Sequence, residues 1–216
     1  MCRLAMTSSL ALALVVLLAP ASTTTASGQD DPAQRERDDS DLSPAARHDR
    51  AQAAYKRGTD LRASKDLDRA IEAFGEAIAI EPGHAAAHHM RGLCWVDRKE
   101  YDRAIPDLDE AIRLQPKFDM AFVHRGNAHH ALRDFDRAIA DYTEALRLNP
   151  RLAWVQSNRG NSWIAKRDYD RAIADLDEAI RLDPSTAWPF SNRSHAYRAK
   201  REYARAIADA SQAIRL

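Results

Sequence analysis

The stretch YDRAIADLDEAIRLDP at 169–184 recurs almost unchanged at 101–116 as YDRAIPDLDEAIRLQP, with two differences. Related stretches begin at 67, 135 and 203, so five copies follow one another at a step of 34 residues. The upstream halves keep the same step, as KRGTDL, MRGLCW, HRGNAH, NRGNSW and NRSHAY. A fixed period without insertions means one structural unit written five times, and periods of this size indicate a stacked array in which each unit buries a face against the next.

Within the unit the apolar positions recur at helical spacing. From Tyr169 they run through Ala172, Ile173, Leu176, Ala179, Ile180 and Leu182. This marks an amphipathic helix with one broad buried face. Asp168 stands at its start and Arg181 near its end, as the helix dipole favours, and Pro184 stops it. Arg171/Asp175, Arg103/Asp107, Arg137/Asp141 and Arg205/Asp209 are four apart. They are expected to pair on the outer face, for about 0.2–0.5 kcal/mol each. The upstream half, 153–166, reads as a second helix with Gly160 inside it, where glycine costs about 1 kcal/mol relative to alanine. Glycine recurs at 58, 92, 126 and 160, with Ser194 in the fifth copy. Close approach of the partner helix is the expected reason. Each unit is then a helical hairpin.

These residues resemble tetratricopeptide repeats. The matching signs are Gly58, Gly92, Gly126, Gly160 and Ser194; Ala70, Ala104, Ala138, Ala172 and Ala206; the large Phe74, Leu108, Tyr142 and Leu176; and the closing Pro82, Pro116, Pro150 and Pro184. The resemblance implies an all-α, right-handed α-solenoid of antiparallel helix pairs, with repeats at 51–84, 85–118, 119–152, 153–186 and 187–216. Two departures stand out. Arg57, Arg91, Arg125, Arg159 and Arg193 occupy a place where the family often has leucine, and Ala210 is small where a large residue is usual.

The first 42 residues differ. Arg3, the run LALALVVLLAP and Ala19-Pro20-Ala21 have the order of a secretory signal peptide over 1–21. The apolar run is too short to span a bilayer, which needs about 20 residues. Export to the periplasm or outside the cell is expected, with no membrane attachment after cleavage. Residues 22–42 are polar and without period, and read as a disordered linker. The repeat domain is expected over 43–216, with Ser43 as N-cap and Pro44 opening the first helix.

With 32 basic and 32 acidic side chains the net charge is zero, which gives no support for a nucleic-acid protein. No nucleophile elbow, phosphate loop or catalytic Ser/His/Asp set can be named, so an enzyme is not expected. Cys94 would be the only cysteine left after cleavage, and no Cys/His metal spacing occurs. No cofactor or metal is expected. A site shared by His89, His124 and His130 is conceivable, against a plain role as polar groove lining.

The resemblance places the first helix of each pair along a concave groove. There the copies disagree most, as a recognition surface requires. The candidate partner-binding residues are His89, Met90, His124, Asn127, Trp154, Asn158, Asn161, Trp188, Asn192 and His195. Tryptophan is a common interface anchor, and asparagine both donates to and accepts from the main chain of an extended peptide. The competing role for Asn158 and Asn192 is bridging between neighbouring helices. The expected function is an exported adaptor that binds a protein or peptide segment in this groove. The alternative is a self-assembling structural protein, with weak homodimerisation through the apolar face of 203–216. A metal carrier or enzyme is a remote third class.

Overall fold

A computed structural model describes residues 43–216. The signal-peptide and linker expectations for 1–21 and 22–42 lie outside the described residues. The described chain is all-α. Ten helices follow in order: α1 (Pro44–Ala63), α2 (Leu67–Ile80), α3 (Ala85–Asp97), α4 (Tyr101–Leu114), α5 (Asp119–Ala131), α6 (Phe135–Leu148), α7 (Ala153–Ala165), α8 (Tyr169–Leu182), α9 (Ala187–Ala199) and α10 (Tyr203–Arg215). Odd and even helices alternate as the A and B members of five hairpins stacked in sequence. Among the described residues no helix is long and apolar enough to cross a membrane.

The hairpins are tight because one turn closes helix A and opens helix B. Lys65, Lys99, Arg133, Arg167 and Arg201 each adopt the left-handed conformation, with φ of 63–65°. In the first turn Lys65 N–H donates to the Arg62 carbonyl and Asp66 N–H to the Leu61 carbonyl. This pattern satisfies the last carbonyls of helix A. Asp66 then caps helix B by accepting from the Arg69 amide, as Asp134 and Asp168 do for Arg137 and Arg171. At the start of α1, the Ser43 side chain accepts from the Ala46 amide and Pro44 is the first helical residue.

The recurrent glycines sit where helix B presses on helix A. A Cβ added at Gly58 would lie 2.6 Å from Phe74, at Gly92 2.9 Å from Leu108, at Gly126 2.8 Å from Tyr142, and at Gly160 3.0 Å from Leu176. The fifth repeat exchanges the two sizes. Ser194 stands opposite the small Ala210, and its hydroxyl donates to the Ala206 carbonyl at 2.8 Å. The small Ala210, a departure from the repeat pattern, is thus matched by a larger residue at the glycine position.

The outer-face reading of Asp107, Asp141, Asp175 and Asp209 is corrected. All four are buried. Each is gripped by the arginine sixteen residues earlier, on helix A of its own hairpin. The Nε and Nη2 of Arg91 donate to Asp107 at 2.8 and 2.7 Å, and Arg125, Arg159 and Arg193 hold Asp141, Asp175 and Asp209 in the same way. The third guanidinium nitrogen crosses to the preceding hairpin: Arg125 to Asp109 at 2.6 Å, Arg159 to Thr143 at 3.0 Å, Arg193 to Asp177 at 2.5 Å. One side chain therefore ties helix A, helix B and the previous repeat. Arg103, Arg137, Arg171 and Arg205 pair instead with the acid three residues before them. In the first hairpin Ala73 replaces the aspartate, and Arg57 reaches Glu76.

Candidate functional site

Successive A helices touch one another: α1 meets α3, α3 meets α5, and α7 meets α9. Their shared face carries the candidate residues, and the structure divides these into a closed half and an open half.

The closed half lies between α1, α3 and α5. His89 is buried, and its Nε2 is 2.8 Å from His124 Nδ1, with the two rings stacked. The Phe118 ring also packs against His89. Burial, with the neighbouring His124 and Arg62, pushes His89 down to about 3. Burial and Arg62 push His124 down to about 4. Arg62 is itself held by Asp97, its Nε and Nη2 donating at 3.0 and 2.8 Å. Met90 packs against the core cluster of Ala70, Phe74 and Cys94. These side chains bind one another and stiffen the junctions between repeats. His130 does not join the pair, because its Nδ1 lies 2.8 Å from Ser162 Oγ. Among the described residues no group of three or more His, Cys, Asp or Glu side chains could hold a metal ion.

The open half runs over α5, α7 and α9. Trp154 is 43% exposed and Trp188 56% exposed, at equivalent places one repeat apart. His195 is also exposed. Asn127, Asn158 and Asn161 line a cleft of about 180 Å³ together with His130 and Tyr142. Asn158 also bridges repeats, its Nδ2 donating to Asn127 Oδ1 at 3.3 Å, so the bridging role holds for it alongside the cleft. Asn192 sits deeper. It is 9% exposed, and its Nδ2 has no hydrogen-bond partner in the structure.

The sequence reading missed Tyr142 as part of this face. It stands in the column of large frame residues, where Phe74, Leu108 and Leu176 carry no polar atom. Its ring is buried, yet its hydroxyl reaches through to donate to Asn127 Oδ1 at 2.8 Å. The available signal was that single hydroxyl in an otherwise apolar column. Ser162, which orients His130, gave no comparable signal.

Family models of the tetratricopeptide repeat match residues 55–117, 120–152 and 153–186. Several solved structures share the fold. One MamA structure is 21% identical with a TM-score of 0.72, covering 76% of this chain and 90% of that one. MamA from Desulfovibrio magneticus RS-1 is 16% identical with a TM-score of 0.74, over 78% of this chain and 95% of that one. YrrB, described as a TPR protein with an unusual peptide-binding site, is 20% identical with a TM-score of 0.66, over 74% and 83% of the two chains. At these identities the likeness is one of fold. No curated protein gives a significant sequence match.

Proposed function

Because the chain belongs to the tetratricopeptide repeat family, a family of protein-interaction scaffolds, we propose that it binds an extended segment of a partner protein along the A-helix face of α5, α7 and α9. The observation that carries this reading is the pair of exposed indoles, Trp154 and Trp188, one repeat apart, with Trp154 one and two turns before the cleft-lining Asn158 and Asn161 on the same helix. Large aromatic side chains left in water on a rigid helical face are the usual anchors of an interface. The closed His89/His124 half contributes rigidity, and contact with the partner is assigned to the open half. Selection of random decapeptides on the full chain, followed by affinity measurement, tests the reading. Trp154→Ala and Trp188→Ala should each weaken the selected peptides by about 2 kcal/mol or more while the melting temperature stays put. Selected peptides that bind both variants as tightly as the wild type would remove the groove from consideration.

The basic, apolar and small-residue order of 1–21 supports export to the periplasm or beyond. A protein recovered from the producing cell with its N-terminus just after Ala21 is the expected result; one still carrying 1–21 in the cytoplasm would refute export.

A second reading, self-association through α10, is favoured by one observation. Ile207 is 67% and Ile214 85% exposed, whereas the equivalent Ile139 and Leu146 of α6 are buried.

A further inference from the structure

The cleft at the junction of the third and fourth repeats is lined by Asn127, His130, Tyr142, Asn158 and Asn161. None of these side chains brings a formal charge, since burial holds His130 below the ordinary histidine value. Their hydrogen-bonding capacity is only partly spent. Asn127 Oδ1 accepts from Tyr142 OH at 2.8 Å and from Asn158 Nδ2 at 3.3 Å. Both of its lone pairs are then used, and no structural partner remains for the Asn127 Nδ2 hydrogens. Asn158 keeps a free Oδ1. Asn161 has a free Oδ1 and a free Nδ2.

The histidine's tautomer follows from its neighbour. Ser162 Oγ lies 3.1 Å from the Asn158 carbonyl, which can only accept, and giving the single hydroxyl hydrogen to that oxygen is the arrangement that satisfies both of the hydroxyl's contacts. The 2.8 Å contact between Ser162 Oγ and His130 Nδ1 then requires Nδ1–H as the donor. A neutral ring protonated at Nδ1 presents a bare lone pair at Nε2. The cleft therefore offers amide donors from Asn127 and Asn161, and acceptors from Asn158, Asn161 and His130.

We propose that this cleft is a subsite for an uncharged carboxamide, the side chain of a glutamine or asparagine in the bound segment. A carboxamide carries a donor and an acceptor without charge, as a main-chain amide does, but its NH2 supplies two hydrogens from one group and so meets more than one of the cleft's acceptors. A carboxylate would set its oxygens against the His130 lone pair and two amide oxygens. An ammonium or guanidinium would leave the asparagine N–H groups unmet and would lose its hydration with no counter-charge present. A hydrocarbon would strand every free group in the cleft. The hydroxyl of Tyr142 makes the site particular to this junction, because it consumes the Asn127 oxygen and commits that amide to donating outward.

The subsite rests on the reading of this face as a peptide groove, and the experiment separates the two. Decapeptides selected on the full chain are first sorted by their loss of binding to Trp154→Ala/Trp188→Ala, which identifies groove ligands. Those ligands should share one position occupied by glutamine or asparagine. Replacing that residue by the near-isosteric glutamate, or by methionine, should weaken binding roughly 10-fold or more. The preference for glutamine over methionine should fall to within about 2-fold in the His130→Phe/Asn161→Leu variant, which still binds through its tryptophans. The side-chain amide resonances of Asn127, Asn158 and Asn161 should move with the glutamine peptide and stay in place with the methionine one. Groove ligands without a shared carboxamide position, or binding indifferent to the glutamine-to-glutamate exchange, would overturn the subsite and leave the groove reading intact. Ligands indifferent to the tryptophan variant would overturn both.

Discussion

Arg159 holds two elements at once, and its removal tests what the family's usual leucine would do here. Asp175 lies buried beneath it and has the guanidinium as its ionic partner. Arg159→Leu should cost about 3–5 kcal/mol, because it strands a buried carboxylate. The double variant Arg159→Leu/Asp175→Ala should recover most of that loss, since the first repeat already has Ala73 in the aspartate's place. Chemical denaturation of both variants measures the difference, and a double variant as weak as the single one would contradict the account. His89 and His124 make a second prediction at this scale. Both are driven neutral in the folded chain, to about 3 and about 4, against about 6.5 when unfolded. The unfolded state therefore binds more protons below pH 6.5. Stability from this pair is complete above that value and falls as pH drops toward 4, by about 1.4 kcal/mol per pH unit for each ring. The groups facing them are Arg62, Asp97 and Asp119, with opposing effects that leave burial dominant. Melting curves from pH 7 to 4 should fall steeply in the wild type and less steeply in His89→Gln/His124→Gln. Equal slopes would show that other groups drive the acid loss.

Two helices carry their own internal control. α4 and α8 are nearly the same sequence, but α4 has Pro106 where α8 has Ala174. The proline lacks the N–H that would bond the Asp102 carbonyl, and its ring crowds that carbonyl. It is exposed, so no packing is lost by changing it. Pro106→Ala should stabilise the chain by up to about 3 kcal/mol, read as a raised melting temperature. No gain would mean that the ring's restriction of the unfolded chain offsets the missing hydrogen bond. On the A helices the size rule is reciprocal. Gly126→Leu forces a branched side chain into space where even a Cβ would lie 2.8 Å from Tyr142. Overpacking of this kind costs about 1–3 kcal/mol, and an unchanged melting temperature would show that the ring moves aside freely. The fifth repeat displays the other solution, Ser194 facing Ala210.

At the scale of the whole array, stability is a sum of hairpins and junctions, and the junctions differ. Apolar clusters join α1–α3, α2–α4, α5–α7 and α7–α9. Around α3 two buried polar pairs take their place: His88 with Asp107 inside the second hairpin, and His89 with His124 across to α5. Burial pushes the Asp107 carboxyl up, but hydrogen bonds from Arg91 and His88 outweigh it and keep its pKa below the ordinary value. The exposed face of α10 supplies the prediction for assembly. Ile207, Ile214 and Leu216 form an uncovered apolar surface, and two such faces meeting head to head make a closed pair. Sedimentation should show concentration-dependent dimerisation that Ile207→Lys/Leu216→Lys abolishes. A monomer at all concentrations up to about 100 μM, roughly a contact weaker than 5.5 kcal/mol, would defeat it.

The 34-residue period, the helical spacing and the glycine–alanine–proline columns were enough to determine the helix pairs, their order and the close contact at Gly58, Gly92, Gly126 and Gly160. These features are local or repeat with the chain, so a one-dimensional reading captures them. What the sequence could not show is which variable positions are spent on the protein itself. Asp107 and its equivalents are four residues from one arginine and sixteen from another, and only packing selects the second, because the shorter-range arginine points outward. Met90 and Asn192 stand in the same column as Asn158, and His89 in the column beside it, yet His89 and Asn192 are buried and Met90 packs on the core, while Trp154 and Trp188 stand in water. Tyr142 shows the converse, a frame residue whose hydroxyl emerges at the cleft. Burial and pairing across a repeat boundary depend on the rotation of each hairpin against the next, a quantity set by summed side-chain packing and not written at any single position.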